Sequence, residues 1–159
     1  ADVLENVLAL AGALRSGSVV VEHSTVSATT ARQAQAILAE RGIGFLDAPV
    51  SGGVEGARNG KLSVMVGGNA ADLDKARPAI DGYALRITLM GASGAGQATK
   101  AVNQVLVAGI AQAVCEGLAL GEKLGLAPDL AKAKSYLKGM PRDEVKRILD
   151  EITPETPKP

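Results

Sequence analysis

From Ser18 to Gly91, short apolar runs alternate with stretches of helical spacing, and this alternation restricts the chain to few architectures. "SVVVEHST" is a continuous apolar run that ends in polar residues, the pattern of a buried strand. "ATTARQAQAILAERG" then reads as a helix, with Ser27 as N-cap and Gly42 as stop. "IGFLDAPV" reads as a second strand, "VEGARNG" as a short helical turn and "KLSVMVGG" as a third strand. "AADLDKARPAIDGYA" reads as a helix that Pro78 kinks or interrupts, and "LRITLMG" as a fourth strand. Alternating strands and helices specify an α/β domain with a largely parallel sheet. The third strand is the exception, because its short connection from the second suits an antiparallel pairing. Ahead of this region, Asp2 to Leu14 has helical spacing that ends at Ser16-Gly17.

After Gly91 the pattern changes. "SGAGQATKAVNQVLVAGIAQAVCEGLALGEKLG" has no strand or turn signal before Gly125, so it predicts one helix over 94–123, roughly 45 Å long at ~1.5 Å per residue. Its middle is apolar nearly all round, which predicts cover on most sides, between domains, between subunits or both. Two short helices are expected near Asp129 to Leu137 and Arg142 to Ile152, before a polar, proline-rich tail, "TPETPKP".

Composition excludes several functions. Seventeen basic and seventeen acidic side chains cancel, and aromatics are 2% of the 159 residues. The chain therefore lacks both the field and the stacking platforms of a nucleic-acid binder. The core must be built from Ala, Val, Leu and Ile. The longest uncharged run near the middle, Ala101 to Cys115, is shorter than the ~20 residues that span a bilayer, and no secretory leader is read in "ADVLENVLALAGALRSG". The single Cys115 rules out an internal disulfide and multi-cysteine metal sites, and no metal-ligand cluster is visible. These features describe a soluble, cytoplasmic protein.

Two places carry candidate chemistry. "EHST" and "VSGG" both fall at the carboxyl ends of predicted strands, the edge where open α/β sheets bind ligands. At the start of the long helix, Lys100, Asn103 and Gln104 are spaced i, i+3, i+4 and share a face. Desolvation and the helix dipole would lower the pKa of a lysine there, as an acid/base near neutral pH requires. The other reading of the trio is a polar seam capping a core helix. Asp47 is either an acid or a cap for backbone N–H groups. His23, the only histidine, reads as a satisfied structural residue or a bystander beside a ligand, and Cys115 as core packing.

Taken in order, these motifs resemble the β-hydroxyacid dehydrogenase family, which includes 3-hydroxyisobutyrate dehydrogenase and tartronate semialdehyde reductase. The family's D-x-S-T strand end appears as Glu22-His23-Ser24-Thr25, its D-A-P-V-S-G-G segment as Asp47 to Gly53, and its G-x-G-x-x-x-K-x-x-N helix start as Gly94, Gly96, Lys100 and Asn103. The likeness runs from about Asp2 to Leu126 and is most specific in "DAPVSGG" and "GAGQATKAVNQ".

The resemblance implies an α/β fold with a partial Rossmann-type parallel sheet, then a long interdomain helix and a short all-α region. Residues 1–92 would be the C-terminal part of the NAD(P)-binding domain, and 93–159 the long helix with a truncated helical domain for substrate and dimerisation. The implied activity moves a hydride between NAD or NADP and a small 3-hydroxyacid or its semialdehyde. Lys100 would be the general acid/base. Ser51, Gly52 and Gly53 would hold the substrate carboxylate, Asn103 and Gln104 would orient the substrate, and Thr25 would contact the cofactor. A homodimer is expected. The sequence departs from the family pattern at Glu22 and Ala28, and it has no G-x-G-x-x-G pyrophosphate turn, so weak or absent dinucleotide binding is expected of these residues alone. The alternative is a non-catalytic remnant that acts as a dimerisation or scaffold module.

Overall fold

The computed structural model describes residues 2–125. Internal contacts divide the chain into two units, Ala1–Asn103 and Gln104–Pro159. The expected helices near Asp129 to Leu137 and Arg142 to Ile152, and the tail, lie outside the described residues.

The first unit is an α/β layer structure. Its elements run α1 (Asp2–Ala13), β1 (Val19–Glu22), α2 (Ala28–Ala39), β2 (Gly44–Asp47), β3 (Val50–Ser51), α3 (Gly53–Arg58), β4 (Leu62–Gly68), α4 (Ala70–Ile80) and β5 (Ala84–Gly91), and end in the first turns of α5 (Ala95–Lys123). Helix α2 starts where Ser27 accepts the Thr30 N–H at 3.0 Å, the cap read from the sequence. Helix α4 is capped in the same way by Asn69 and runs two residues beyond Pro78.

The sheet is mixed: β1 and β2 are parallel, β4 and β5 are parallel, and β4 runs antiparallel to β2 and β3. A six-residue α3 cannot carry the chain back to the far end of the sheet, so β4 returns antiparallel, as its short connection predicts. The second strand expected from "IGFLDAPV" is one ribbon with a proline interruption. The pairs Leu46–Gly68 and Asp47–Gly67 continue in the same register as Val50–Val64 and Ser51–Ser63. Pro49 has no N–H to give the ladder, but its carbonyl still accepts the Met65 N–H at 3.0 Å.

Side-chain alternation along this ribbon divides the core. Phe45 packs with Val7, Ala11, Ala31, Ala34 and Leu38 beneath α1 and α2. Leu46 packs with Val64, Val66, Leu73, Ala76 and Ile80 beneath α4. Asp47, two residues after Phe45, shares the parity of Phe45.

Of the second unit, the described residues 104–125 are the remainder of α5 and the turn that follows. The expected cover on most sides of this helix is not seen among the described residues. Val105, Leu106, Leu120 and Leu124 are exposed, and so is Cys115, which was expected in a core. By length and composition alone, α5 is also the one helix among the described residues that could cross a membrane. The sequence limit failed to register this because it stopped the apolar run at the charges flanking 101–115.

Candidate functional site

The site is built around a buried carboxylate. Asp47 is fully buried at the end of β2. Its Oδ1 accepts the Gly94 N–H at 2.7 Å and its Oδ2 accepts the Gln97 N–H at 2.9 Å. Of its two sequence readings, the structure selects the cap. Donors at a helix start have no intrahelical partner, and a carboxylate at the positive end of the helix satisfies two of them. Glycines make room for this contact. A Cβ at Gly96 would lie 2.5 Å from the Asp47 carbonyl oxygen and press on that of Met65, and a Cβ at Gly67 would collide with the Asp47 carboxylate.

One turn further along α5, Lys100 Nζ donates to the Val50 carbonyl at 2.9 Å. The structure thus brings Lys100 to the residue that precedes Ser51-Gly52-Gly53. Ser51 ends β3 half-buried. Gly52 and Gly53 turn the chain into α3 with φ of 128° and 59°, conformations that side chains rarely adopt. Asn103 is half-buried at the end of the first unit, and Gln104 is the first residue of the second.

Thr25 lies in the loop between β1 and α2, which is tied down on both sides. Gln97, only 2% exposed, donates from Nε2 to the Ser24 carbonyl at 2.7 Å and accepts the Val26 N–H on Oε1 at 3.1 Å. The Ser24 N–H donates to Glu22 Oε1 at 2.6 Å. The side chain of Thr25 is exposed between these anchors. Sequence reasoning missed Gln97, since a glutamine on a helix is ordinarily a solvated residue. The only available signal was its place three residues before Lys100.

His23, read from the sequence as a satisfied structural residue or a bystander beside a ligand, has both ring nitrogens hydrogen-bonded. Its Nδ1 lies 2.6 Å from the Ala48 carbonyl and must donate to it, which leaves Nε2, 2.7 Å from the Tyr83 hydroxyl, to accept from the phenol. Burial raises the pKa of Tyr83 above its ordinary 10.0. A folded-state pKa above the unfolded value gives stability that is complete below pH 10.0 and lost as pH rises through the folded pKa. The melting temperature should therefore fall on titration above pH 10, and fall less in Tyr83→Phe. Identical slopes in the two proteins would remove Tyr83 from that transition. Glu22 Oε2 and Ser93 Oγ are buried without a hydrogen-bond partner among the described residues.

This arrangement supplies an amine, a hydroxyl and a glycine-rich turn at one end of the β2–β3 ribbon, together with an outward threonine on a clamped loop. A dinucleotide phosphate needs free amide donors at a helix start. The glycine turn from β5 into α5 has the required strand–turn–helix form, but Asp47 already occupies its Gly94 and Gln97 donors. At this turn the Gly94 and Gln97 donors are therefore not free for a pyrophosphate.

Fold and site together define an α/β protein whose long helix starts at a glycine turn capped by a buried aspartate. A family model described as the NAD binding domain of 6-phosphogluconate dehydrogenase matches residues 1–91, and one described as the NAD-binding of NADP-dependent 3-hydroxyisobutyrate dehydrogenase matches 94–134. The chain is 43% identical over 109 residues to 3-hydroxyisobutyrate dehydrogenase of Pseudomonas aeruginosa, covering 69% of this chain and 37% of that protein. It is 46% identical over 110 residues to NAD-dependent L-serine dehydrogenase of the same organism, with the same coverage. The structure of Mycobacterium tuberculosis 3-hydroxyisobutyrate dehydrogenase with L-serine superposes with a TM-score of 0.72 at 43% identity, over 74% of this chain and 40% of that one. The chain belongs to the β-hydroxyacid dehydrogenase family, as its motifs indicated, and the cofactor of that resemblance is NAD or NADP. It spans about two-fifths of the length of the curated relatives it matches, 37% and 39% in two of them.

Proposed function

We propose that this chain carries the substrate and catalytic part of an NAD(P)-dependent dehydrogenase acting on a small 3-hydroxyacid or its semialdehyde. The observation that carries the reading is the Lys100 amine, 2.9 Å from the Val50 carbonyl and adjacent in sequence to the Ser51-Gly52-Gly53 turn. In oxidation, the neutral amine of Lys100 takes the substrate hydroxyl proton; in reduction, the ammonium returns it. A bound nicotinamide supplies the hydride acceptor or donor at C4. Ser51 Oγ and the main-chain N–H groups of Gly52 and Gly53 hold the substrate carboxylate, which glycine lets approach closely. Asn103, and Gln104 directly after it, orient the substrate, and Thr25 contacts the cofactor near its nicotinamide.

The family relationship supports a soluble protein, for which we propose the cytoplasm, and the gap between the two family-model matches, at 91 and 94, supports a domain boundary at 92/93. Steady-state assays of the complete protein with 3-hydroxyisobutyrate, L-serine and tartronate semialdehyde, against NAD and NADP, test the reading. Turnover of none of them with either cofactor would overturn it.

The non-catalytic reading draws on the exposed apolar side chains of α5, and the same feature supports a two-fold homodimer under either reading. Light scattering at micromolar concentration should give twice the chain mass. Ile110→Glu should shift it toward monomer or cause aggregation, because a charge would be buried without a partner. A stable monomer that tolerates this substitution would rule the dimer out.

A further inference from the structure

We infer that Gln97 is a positioning residue for dinucleotide binding, which it serves by holding Thr25 in a fixed relation to Lys100. This deepens the functional reading above and rests on it. The amide of Gln97 lies against the Thr25 loop as a peptide group lies in a sheet, donating to Ser24 O and accepting from Val26 N. Thr25 alone stands between the two bonds, with its side chain exposed. The backbone N–H of Gln97 is in turn held by Asp47, and Lys100 follows one helical turn later. The loop is therefore tied to the same turn of α5 that leads into Lys100. A glutamine 2% exposed is tolerated only because its donor and acceptor are both used, and as a filler it gains nothing that leucine or methionine would not give. Its two bonds fix the conformation of Ser24 to Val26, so the loop needs no ordering when a nicotinamide arrives.

The test is fluorescence titration of the complete protein with NADH and NADPH. Gln97→Met keeps side-chain volume and helix propensity and removes both bonds. Its dissociation constant should rise about tenfold, the cost of re-ordering one or two backbone residues. Without dinucleotide, hydrogen exchange at the Val26 amide should quicken by a similar factor. The loss should fall on cofactor affinity and less on kcat at saturating dinucleotide. Gln97→Glu retains the acceptor for Val26 and regains a donor to Ser24 only when protonated, so its affinity should approach wild type as pH falls. The charged groups beside it are Asp47, on its own N–H, and Glu22, on the Ser24 N–H. Should Gln97→Met not fold, Gln97→Glu carries the test alone. Unchanged affinity in a folded variant, with wild type binding normally, would overturn the inference. A wild-type protein that binds neither dinucleotide would overturn the functional reading, and the inference with it.

Discussion

Replacing Lys100 with alanine is expected to lower kcat of the complete protein by roughly 10²–10⁴-fold, the usual contribution of a positioned acid/base. Lys100 is half-buried and reaches across to Val50 O, so its amine already lies beside the residue that precedes the turn proposed to hold the substrate. Alanine is a good helix former and Lys100 is only half-buried, so the fold should survive the substitution. Lys100→Arg is expected to fail as a rescue. A guanidinium keeps its proton at any working pH, so it cannot accept the one leaving the hydroxyl. Activity of Lys100→Ala within threefold of wild type would end the assignment.

The largest effect on stability is expected at Asp47. Its carboxylate serves two buried N–H groups, those of Gly94 and Gln97. Asp47→Ala strands both, at about 1–3 kcal/mol each, so a loss of roughly 2–6 kcal/mol is expected. Asp47→Asn should fall between, because its amide oxygen can accept from one donor while its NH₂ faces the other. Urea denaturation measures this directly. An Asp47→Ala protein within 1 kcal/mol of wild type would mean that water or a shifted backbone replaces the carboxylate without loss.

Local signals in the sequence were enough for the elements of the first unit. Ser27 is a cap by residue type, Phe45 and Leu46 alternate as strand residues must, and the short path from Ser51 to Leu62 dictates an antiparallel β4. The Asp47 cap and the structural His23 were both available as readings, because strand-end aspartates and histidines on apolar strands have few other uses. What stayed hidden was long-range pairing. Nothing local says that Gln97 is buried, since its partners Ser24 and Val26 are more than seventy positions away. Nor does periodicity report cover. Val105 and Leu106 sit on a helix apolar on every side, and whether anything lies against them depends on elements the pattern does not identify.

The same distances bear on the order in which the molecule assembles. The Asp47 and Lys100 bonds close loops of 47 to 50 residues, and those of Gln97 close loops of 71 and 73. The Val50–Val64 and Ser51–Ser63 pairs, by contrast, close around α3 alone. Chain entropy must be surrendered before such distant contacts return anything, so near pairings form ahead of far ones. The near pairings of the sheet therefore do not depend on the Lys100 and Gln97 bonds, whereas those bonds join residues that the sheet must first bring together. A chain released partly folded would hold its hydrophobic layers together while Lys100, the serine–glycine turn and the Thr25 loop were still strangers to one another.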